Sequence, residues 1–545
     1  MKGMFKRALA GVAAAALAAT GLALGAGAAN AKVLTAGDTT VILNAEYAAQ
    51  FTGHTYKAIK IADYDVYGES PKQVFTLKTV DGIKAQVTAA VNAAITPDTV
   101  PTDPAGIDPL AWAQQQDHVK LDKSVDSPYL GDGTTRKFAD ALRDSIGDQA
   151  TGVTPSVAGT QATFTFDTPG LWLILDQNAV PESSSKAVPM LVGTPLTINN
   201  NVVISDGTGN VKNQIVTISK TVDDNTVQQG ENAKYTLSTK IPNYVGYKVQ
   251  GYQFTVTDEF ADDAPMEYVS GTLHVSVDGT ELTVGDDYTV TGFDQSSKTF
   301  TVDLSKYIKR LGFGDGEPGA NDTFKVGTLV GKSVIVTYEA TVTGSTGSAG
   351  VLNTPSLTYP NDPTSNESKD TVPGPGVKVF NFDYTIVKKD KTTGAALEGA
   401  KFVIYRADGG SADNALQTVT TDQDGRATFT GLEDDVKYVI EETGAPNGYL
   451  DVDLKFNLEI DAIIEGKHET AEVKKVTYNV TDDVLDLVVD GNTSTVTVNN
   501  VKSITELPLT GAAGTMLFTV LGLLIAGAGA LVYMKSRNVK HTLRG

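Results

Sequence analysis

Cysteine is absent from the chain, tryptophan occurs twice and histidine five times. Without cysteine there are no disulfides, no thiolate metal sites and no cysteine nucleophile. The histidines, His54, His118, His274, His468 and His541, are scattered and show no ligand spacing for zinc. Neither a G-x-S-x-G nor a P-loop pattern is present. Nothing in the sequence therefore marks turnover of an external substrate, and no cofactor is implied. Positive charge is also scarce, with 44 Lys and Arg against 65 Asp and Glu. Seven of the basic residues lie in the two ends, so the stretch 32–510 carries a net charge of −28. Such a chain lacks the basic surface that nucleic acid requires, whereas acidity suits a solvated exterior.

The ends carry addresses. Lys2, Lys6 and Arg7 precede an Ala/Gly/Leu run that closes on Ala29-Asn30-Ala31. A basic start, an apolar centre and small residues before a cut describe a signal peptide over 1–31, with export and a mature start near Lys32. At the other end, Leu507-Pro508-Leu509-Thr510-Gly511 is followed by an uncharged run over 512–534 and a basic tail over 535–545 with Lys535, Arg537, Lys540 and Arg544. The run is long enough to span a bilayer as a helix, and the tail should stay cytoplasmic.

Between the ends, short alternating runs rich in Val, Thr and Tyr are separated by Gly, Asp, Asn and Pro; examples are 254–260, 333–343 and 493–498. This pattern predicts antiparallel sandwiches. Helical spacing appears near 83–95 and 136–146, which adds helix to the first third. The Gly/Asn-rich segment 205–213 and the run Thr371-Val372-Pro373-Gly374-Pro375-Gly376, read as a stiff unpaired linker, suggest boundaries. The expected domains are 32–210, 211–372 and 377–503, followed by a tether to the 507–511 motif. The fold class expected is mainly β, with tandem Ig-like sandwiches.

Strand alternation places one polar residue on each of six apolar stripes. Val216, Ile218 and Lys220 share a face; so do Phe254, Val256, Asp258 and Phe260, and Val351, Asn353, Pro355, Leu357 and Tyr359. In the third domain Tyr384, Ile386 and Lys388 align, then Tyr438, Ile440 and Glu442, then Val496, Val498 and Asn500. A lone buried charge is costly and drifts toward neutrality. A neutral lysine amine is a nucleophile, and a protonated carboxyl can polarise an asparagine amide and help ammonia leave. The expected products are Lys–Asn isopeptide bonds, Lys220–Asn353 with Asp258 as catalyst and Lys388–Asn500 with Glu442. The plainer reading is a set of strand ends whose polar tips reach water; the same order of residue types in two domains favours the bond.

The order of LPLTG, apolar span and basic tail resembles the cell-wall sorting signal of Gram-positive surface proteins. That resemblance implies cleavage by a membrane-bound sortase between Thr510 and Gly511, with Leu507 and Pro508 as recognition residues. It also implies transfer of the Thr510 carbonyl to an amine. The segment from Tyr438 to Tyr449, YVIEETGAPNGY, resembles the E-box of sortase-assembled pilins, with Ile440 in place of leucine. Residues from Val387 to Ala400 resemble the opening of a collagen-adhesin B-type domain. Lys220 to Asp224, Thr257-Asp258 and Asn353 to Tyr359 resemble an A-type domain. The family implies Lys388 as bonding lysine, with Lys389 as a neighbour on the opposite face, and Glu442 and Asn500 as its partners. It further implies an acceptor lysine in a pilin motif between the first two domains. Lys212 stands there without the usual Tyr-Pro, and Lys186 is the next candidate.

The function these features imply is a fimbrial shaft subunit, exported, polymerised and fixed to the wall. Its implied partners are pilus-specific and housekeeping sortases, identical subunits and peptidoglycan. The alternative is a monomeric wall-anchored adhesin whose partner is a host glycan or matrix protein.

Overall fold

The computed structural model describes Lys32 to Leu507, apart from residues 34–38, 96–98, 101–106, 116–133, 183, 200–201, 315, 366 and 490–491. The segment read as a signal peptide, Pro508 to Gly511, the apolar span and the basic tail lie outside the described residues. Within them the chain is mainly β, and none of their helices is long and apolar enough to cross a membrane.

The first unit is built on the long strand Tyr56–Tyr67, which pairs with Val74–Thr79, Thr151–Val153 and Leu171–Asp176. Helices Lys84–Ile95, Pro109–Gln115 and Thr134–Ile146 lie over it, two of them where helical spacing predicted. Val87, Val91, Phe138 and Leu142 are buried against Ile61, Leu77 and Leu173. The unpredicted helix at Pro109 starts on Asp108, whose carboxylate accepts the Leu110 and Ala111 amides at 3.0 and 3.1 Å; this satisfies donors that a helix N-terminus leaves unpaired. A second sheet contains Thr40–Asn44, joined in parallel by Thr208–Asn210.

The second unit is a sandwich. One sheet runs Ile218–Val222, Asn232–Lys240, Ser333–Val342 and His274–Val277. The other contains Thr255–Phe260 between Thr299–Asp303 and Val351–Pro360. Alternate residues of Ser333–Val342 are buried without a break, as a half-covered strand demands. The segment read as an unpaired linker is corrected here. Thr371, Val372 and Pro373 end the strand Lys369–Pro373, which pairs with Ser356–Pro360. Prolines at the chain turn did not prevent this, because an edge strand tolerates a missing N–H.

The third unit faces Phe382–Asp390, Arg426–Leu432 and Thr495–Asn500 across from Lys401–Arg406, Lys437–Gly444 and Lys455–Glu465. Its first and last long strands run parallel as neighbours, Lys388 opposite Val498 and Asp390 opposite Asn500. Tyr384, Ile386, Phe402, Ile440, Phe456 and Val498 are fully buried between the layers, each large apolar side chain stabilising the fold by about 1.5–3 kcal/mol. Gly425, at φ +72°, sits in a turn, and its carbonyl accepts the Lys388 amide. A Cβ there would meet the Lys388 carbonyl oxygen at 2.5 Å, so alanine would strain the strand that carries the lysine.

Candidate cross-linking sites and anchor

In the second unit Lys220 comes from one sheet, and Asp258 and Asn353 from the facing one. All three are at 0% exposure. Asp258 lies opposite Pro355 and Phe260 opposite Asn353, so the acid and the amide are diagonal neighbours on one face. Lys220 Nζ is hydrogen-bonded to Asp258 and, at 2.9 Å, to the Tyr338 hydroxyl. The same hydroxyl donates to Asp258 and accepts Asn353 Nδ2 at 2.7 Å. Lysine nitrogen and amide nitrogen thus meet at one oxygen atom. Asn353 Oδ1 is buried without a hydrogen-bond partner, a costly state for an amide oxygen. Burial pushes the Lys220 amine down to about 8, against the opposing pull of Asp258. The amine also sits 4.6 Å from the centre of the Tyr235 ring.

In the third unit Lys388 and Asn500 share a sheet and Glu442 faces them. Lys388 Nζ lies 2.8 Å from Glu442 Oε2 and 3.3 Å from the Asn499 carbonyl. Asn500 Nδ2 reaches Glu442 Oε1 at 3.4 Å. Burial lowers the Lys388 pKa and raises that of Glu442, each offset in part by its partner. The pair is thereby driven toward neutral amine and neutral acid. The motif's two tyrosines brace this site from outside. Tyr449 donates to Asp390 at 2.6 Å, on the strand carrying Lys388. Tyr438 reaches Gln228 of the second unit at 3.0 Å. Lys389 is half-buried on the other face of its strand.

Lys212 is half-buried between buried Val211 and Asn213, and its carbonyl accepts the Val188 amide. Lys186 is engaged: its amine lies 3.3 Å from Asp362 and 3.4 Å from Thr364. Leu507, half-exposed, closes a short helical turn after the last strand and is the one motif residue described. The acidic loop at Asp287 is committed internally, to the Thr283 amide at 2.8 Å and to Arg310.

Sequence reasoning missed Tyr338, the hub of the second-unit site. The alternation of 333–343 marked it as inward-facing, but its hydroxyl partners lie on three other strands. It also missed a buried line of His54, Asp176 and Ser184 in the first unit. His54 is more than a hundred residues from the other two, too far for spacing to link them.

The joint between second and third units contains a titrating carboxylate. Arg406 bridges Glu231 at 2.8 Å and Glu433 at 3.5 Å. Burial first, then the neighbouring Glu231, raises Glu433 to about 7. A raised carboxyl favours the folded joint in its protonated form. That contribution is fully present below the ordinary value of 4.5 and is lost as pH rises through about 7. Glu433→Gln should therefore melt higher than wild type above neutrality and converge with it in acid. The gain should be about 1 kcal/mol or less, because the group is half-exposed and solvent-screened. Thermal melts on either side of neutrality measure it.

Two features define the class: a carboxyl-terminal sorting signal and stacked β-sandwiches with buried lysine–acid–asparagine trios. Residues 499–541 match the family model of the LPXTG cell wall anchor motif, and residues 382–475 match that of the SpaA prealbumin-like fold domain. The chain is a cell-wall-anchored surface protein with a SpaA-type third domain, the combination implied by its resemblance to sortase-assembled pilins. Among curated proteins none is significantly similar in sequence. Among solved structures, the T6 backbone pilin of serotype M6 Streptococcus pyogenes is similar at 16% identity over 86% of this chain and 100% of its own, with a TM-score of 0.48. The full-length major pilin SpaD of Corynebacterium diphtheriae is similar at 16% identity over 86% and 98%, with a TM-score of 0.45. The major pilin SpaA of the same organism is similar at 19% over 85% and 100%, with a TM-score of 0.42.

Proposed function

We propose that this chain is the shaft subunit of a sortase-polymerised pilus, joined from Thr510 of one copy to Lys212 of the next and finally to peptidoglycan. The observation that carries the reading is the repeated trio. Two successive domains each bury a lysine, a carboxyl and an asparagine within one hydrogen-bonded cluster, on a chain that ends in a wall anchor. A monomeric binder has less need of load-bearing clamps in series.

The proposed chemistry is a single intramolecular turnover. The neutral lysine nitrogen attacks the asparagine side-chain carbon, and the acid hydrogen-bonds the carbonyl oxygen as charge develops there. The proton lost from the amine passes by way of the carboxyl to the amide nitrogen, which leaves as ammonia. Lys220–Asn353 would tie the two sheets of one sandwich together, and Lys388–Asn500 would tie the first strand to the last within one sheet. Pulling force would then run through covalent bonds and bypass most of the ladder. The proposed domain limits, 32–210, 211–372 and 377–503, put one clamp in each of the last two domains.

Deletion of 507–511 tests the assembly. Wall extracts of the unaltered strain should give an SDS-resistant ladder, and the deletion should shift the protein to a single unlinked species in membrane or medium. A single band in the unaltered strain would favour the monomeric adhesin. An unchanged ladder after deletion would overturn the sortase route.

A further inference from the structure

The first unit contains a nucleophile, a base, an orienting acid and an acyl donor that the reading above does not use. His54 Nδ1 lies 2.8 Å from Asp176 Oδ2, and His54 Nε2 lies 2.6 Å from Ser184 Oγ. With Nδ1–H donating to the carboxylate, Nε2 is the acceptor for the serine hydroxyl, the order of roles in a Ser–His–Asp triad. Asp176 is fixed in turn by the Ala187 amide, which donates to Oδ2 at 2.7 Å. An external substrate has no route to this triad. Ser184 is at 0% exposure, Asp176 and Asn213 are at 4%, and the His54 side chain is at 0%.

The base that holds the serine also touches an amide. Asn213 Nδ2 lies 3.3 Å from the same His54 Nε2, which places the serine oxygen and the amide nitrogen on one proton carrier. The asparagine is held for attack. Gln50 Nε2 donates to its Oδ1 at 3.1 Å and to its main-chain carbonyl at 3.0 Å, and its Nδ2 donates to the Gln50 carbonyl at 2.7 Å. Gln50 is itself oriented, because its Oε1 accepts the Glu46 and Tyr47 amides at 2.9 and 3.0 Å. Its amide N–H therefore points at the asparagine carbonyl oxygen, where negative charge would develop, and acts as an oxyanion donor.

We infer that Ser184 and Asn213 become joined by an intramolecular ester. Ser184 Oγ gives its proton to His54 Nε2 and bonds to Asn213 Cγ. The oxyanion is held by Gln50 Nε2. The imidazolium returns the proton to Nδ2, the C–N bond breaks, and ammonia departs. One hydroxyl and one primary amide yield one ester and one ammonia, with no oxidant or cofactor. Burial excludes the water that would otherwise hydrolyse the product. The link would fasten residue 213, next to the proposed acceptor Lys212, to the first domain at the point where load enters the subunit.

The test uses the full-length chain made in a host without sortase, so that polymerisation does not enter. Because the isopeptide at Lys220 blocks cleavage there, trypsin should release residues 144–186 joined to residues 213–234, which are themselves joined through Lys220 to residues 333–369, the whole lighter by one ammonia for each link. Mild hydroxylamine should free residues 144–186 alone, since it opens esters and spares isopeptide amides. Ser184→Ala and His54→Ala should each remove residues 144–186 from this species and leave 213–234 joined to 333–369, while the Lys388–Asn500 peptides are unaffected. Recovery from the unaltered chain of free 144–186 and of 213–234 with its Asn213 amide intact, still joined to 333–369, would overturn the inference without touching the two isopeptides. So would a 213–234 that carries aspartate at 213 and no link to 144–186, or a link to 144–186 that resists hydroxylamine. Because the unaltered chain alone gives these results, a variant that fails to fold does not obscure the answer.

Discussion

Alanine at Asp258 or at Glu442 is expected to return one ammonia to the mass of the chain and to lower the melting temperature of the affected domain by tens of degrees at most and several at least. The proposed bonds close loops of about 130 and about 110 residues, and a cross-link of that span stabilises by about 5 kcal/mol through the entropy it removes from the unfolded chain. For domains of this size, that is about 10–20 °C. The melting result alone does not separate a lost bond from a lost ion pair, since removing one partner of a buried pair costs about 3–5 kcal/mol by itself. Mass makes the separation, because an ion pair leaves it unchanged. Each variant should be heavier by one ammonia than the cross-linked chain carrying the same substitution would be, and Asp258→Ala should leave the third domain's bond intact. The clusters are in separate cores, so the two losses should be additive in the double variant. If hydroxylamine opens the first-unit ester to a free serine and a hydroxamate at Asn213, and the unaltered chain then has the mass of its unmodified residues plus that one oxygen, both assignments are removed.

Lys212→Ala should abolish the high-mass ladder altogether while leaving a folded, wall-attached monomer. Lys186→Ala should leave the ladder in place. The two lysines differ in what surrounds them. The Lys186 amine is engaged with Asp362 and Thr364, across the contact between first and second units. Lys212 is presented by backbone that is pinned on both sides, by Val211 in the first unit's smaller core and by Asn213 against Gln50. A pinned backbone fixes the root of the lysine side chain and so narrows the region its amine samples for an incoming acyl-enzyme, the advantage of orientation over diffusion. A blot of wall extracts reads the result. A ladder that survives Lys212→Ala and disappears in Lys186→Ala would exchange the roles.

Much of the candidate sites was legible before any coordinate was known. Lys220, Asp258 and Asn353 each interrupt a run of alternating apolar residues, and a strand's two-residue period leaves only one face for them to occupy. The same holds for Lys388, Glu442 and Asn500. Tyr338 was not legible as a participant. A buried tyrosine in an apolar stripe reads as core, and only the packing of one sheet on the other places its hydroxyl between three polar groups. The run Thr371–Pro373 misled for a related reason. Its prolines signalled a break, yet the vacant edge of a neighbouring sheet was there to accept the strand.

The sequence by itself determined the wall-anchor signal at the carboxyl end, the mainly β character and the polar residue on each inward stripe. Those properties follow from local order along the chain, where spacing of a few residues sets which side faces inward. Only the tertiary structure decided which stripe meets which. It put Lys220 across the sandwich from its asparagine but Lys388 beside its own, and it brought His54, Asp176, Ser184 and Asn213 to one point. Contacts between residues a hundred or more positions apart depend on strand order and on how two sheets stack, and no short-range periodicity encodes either.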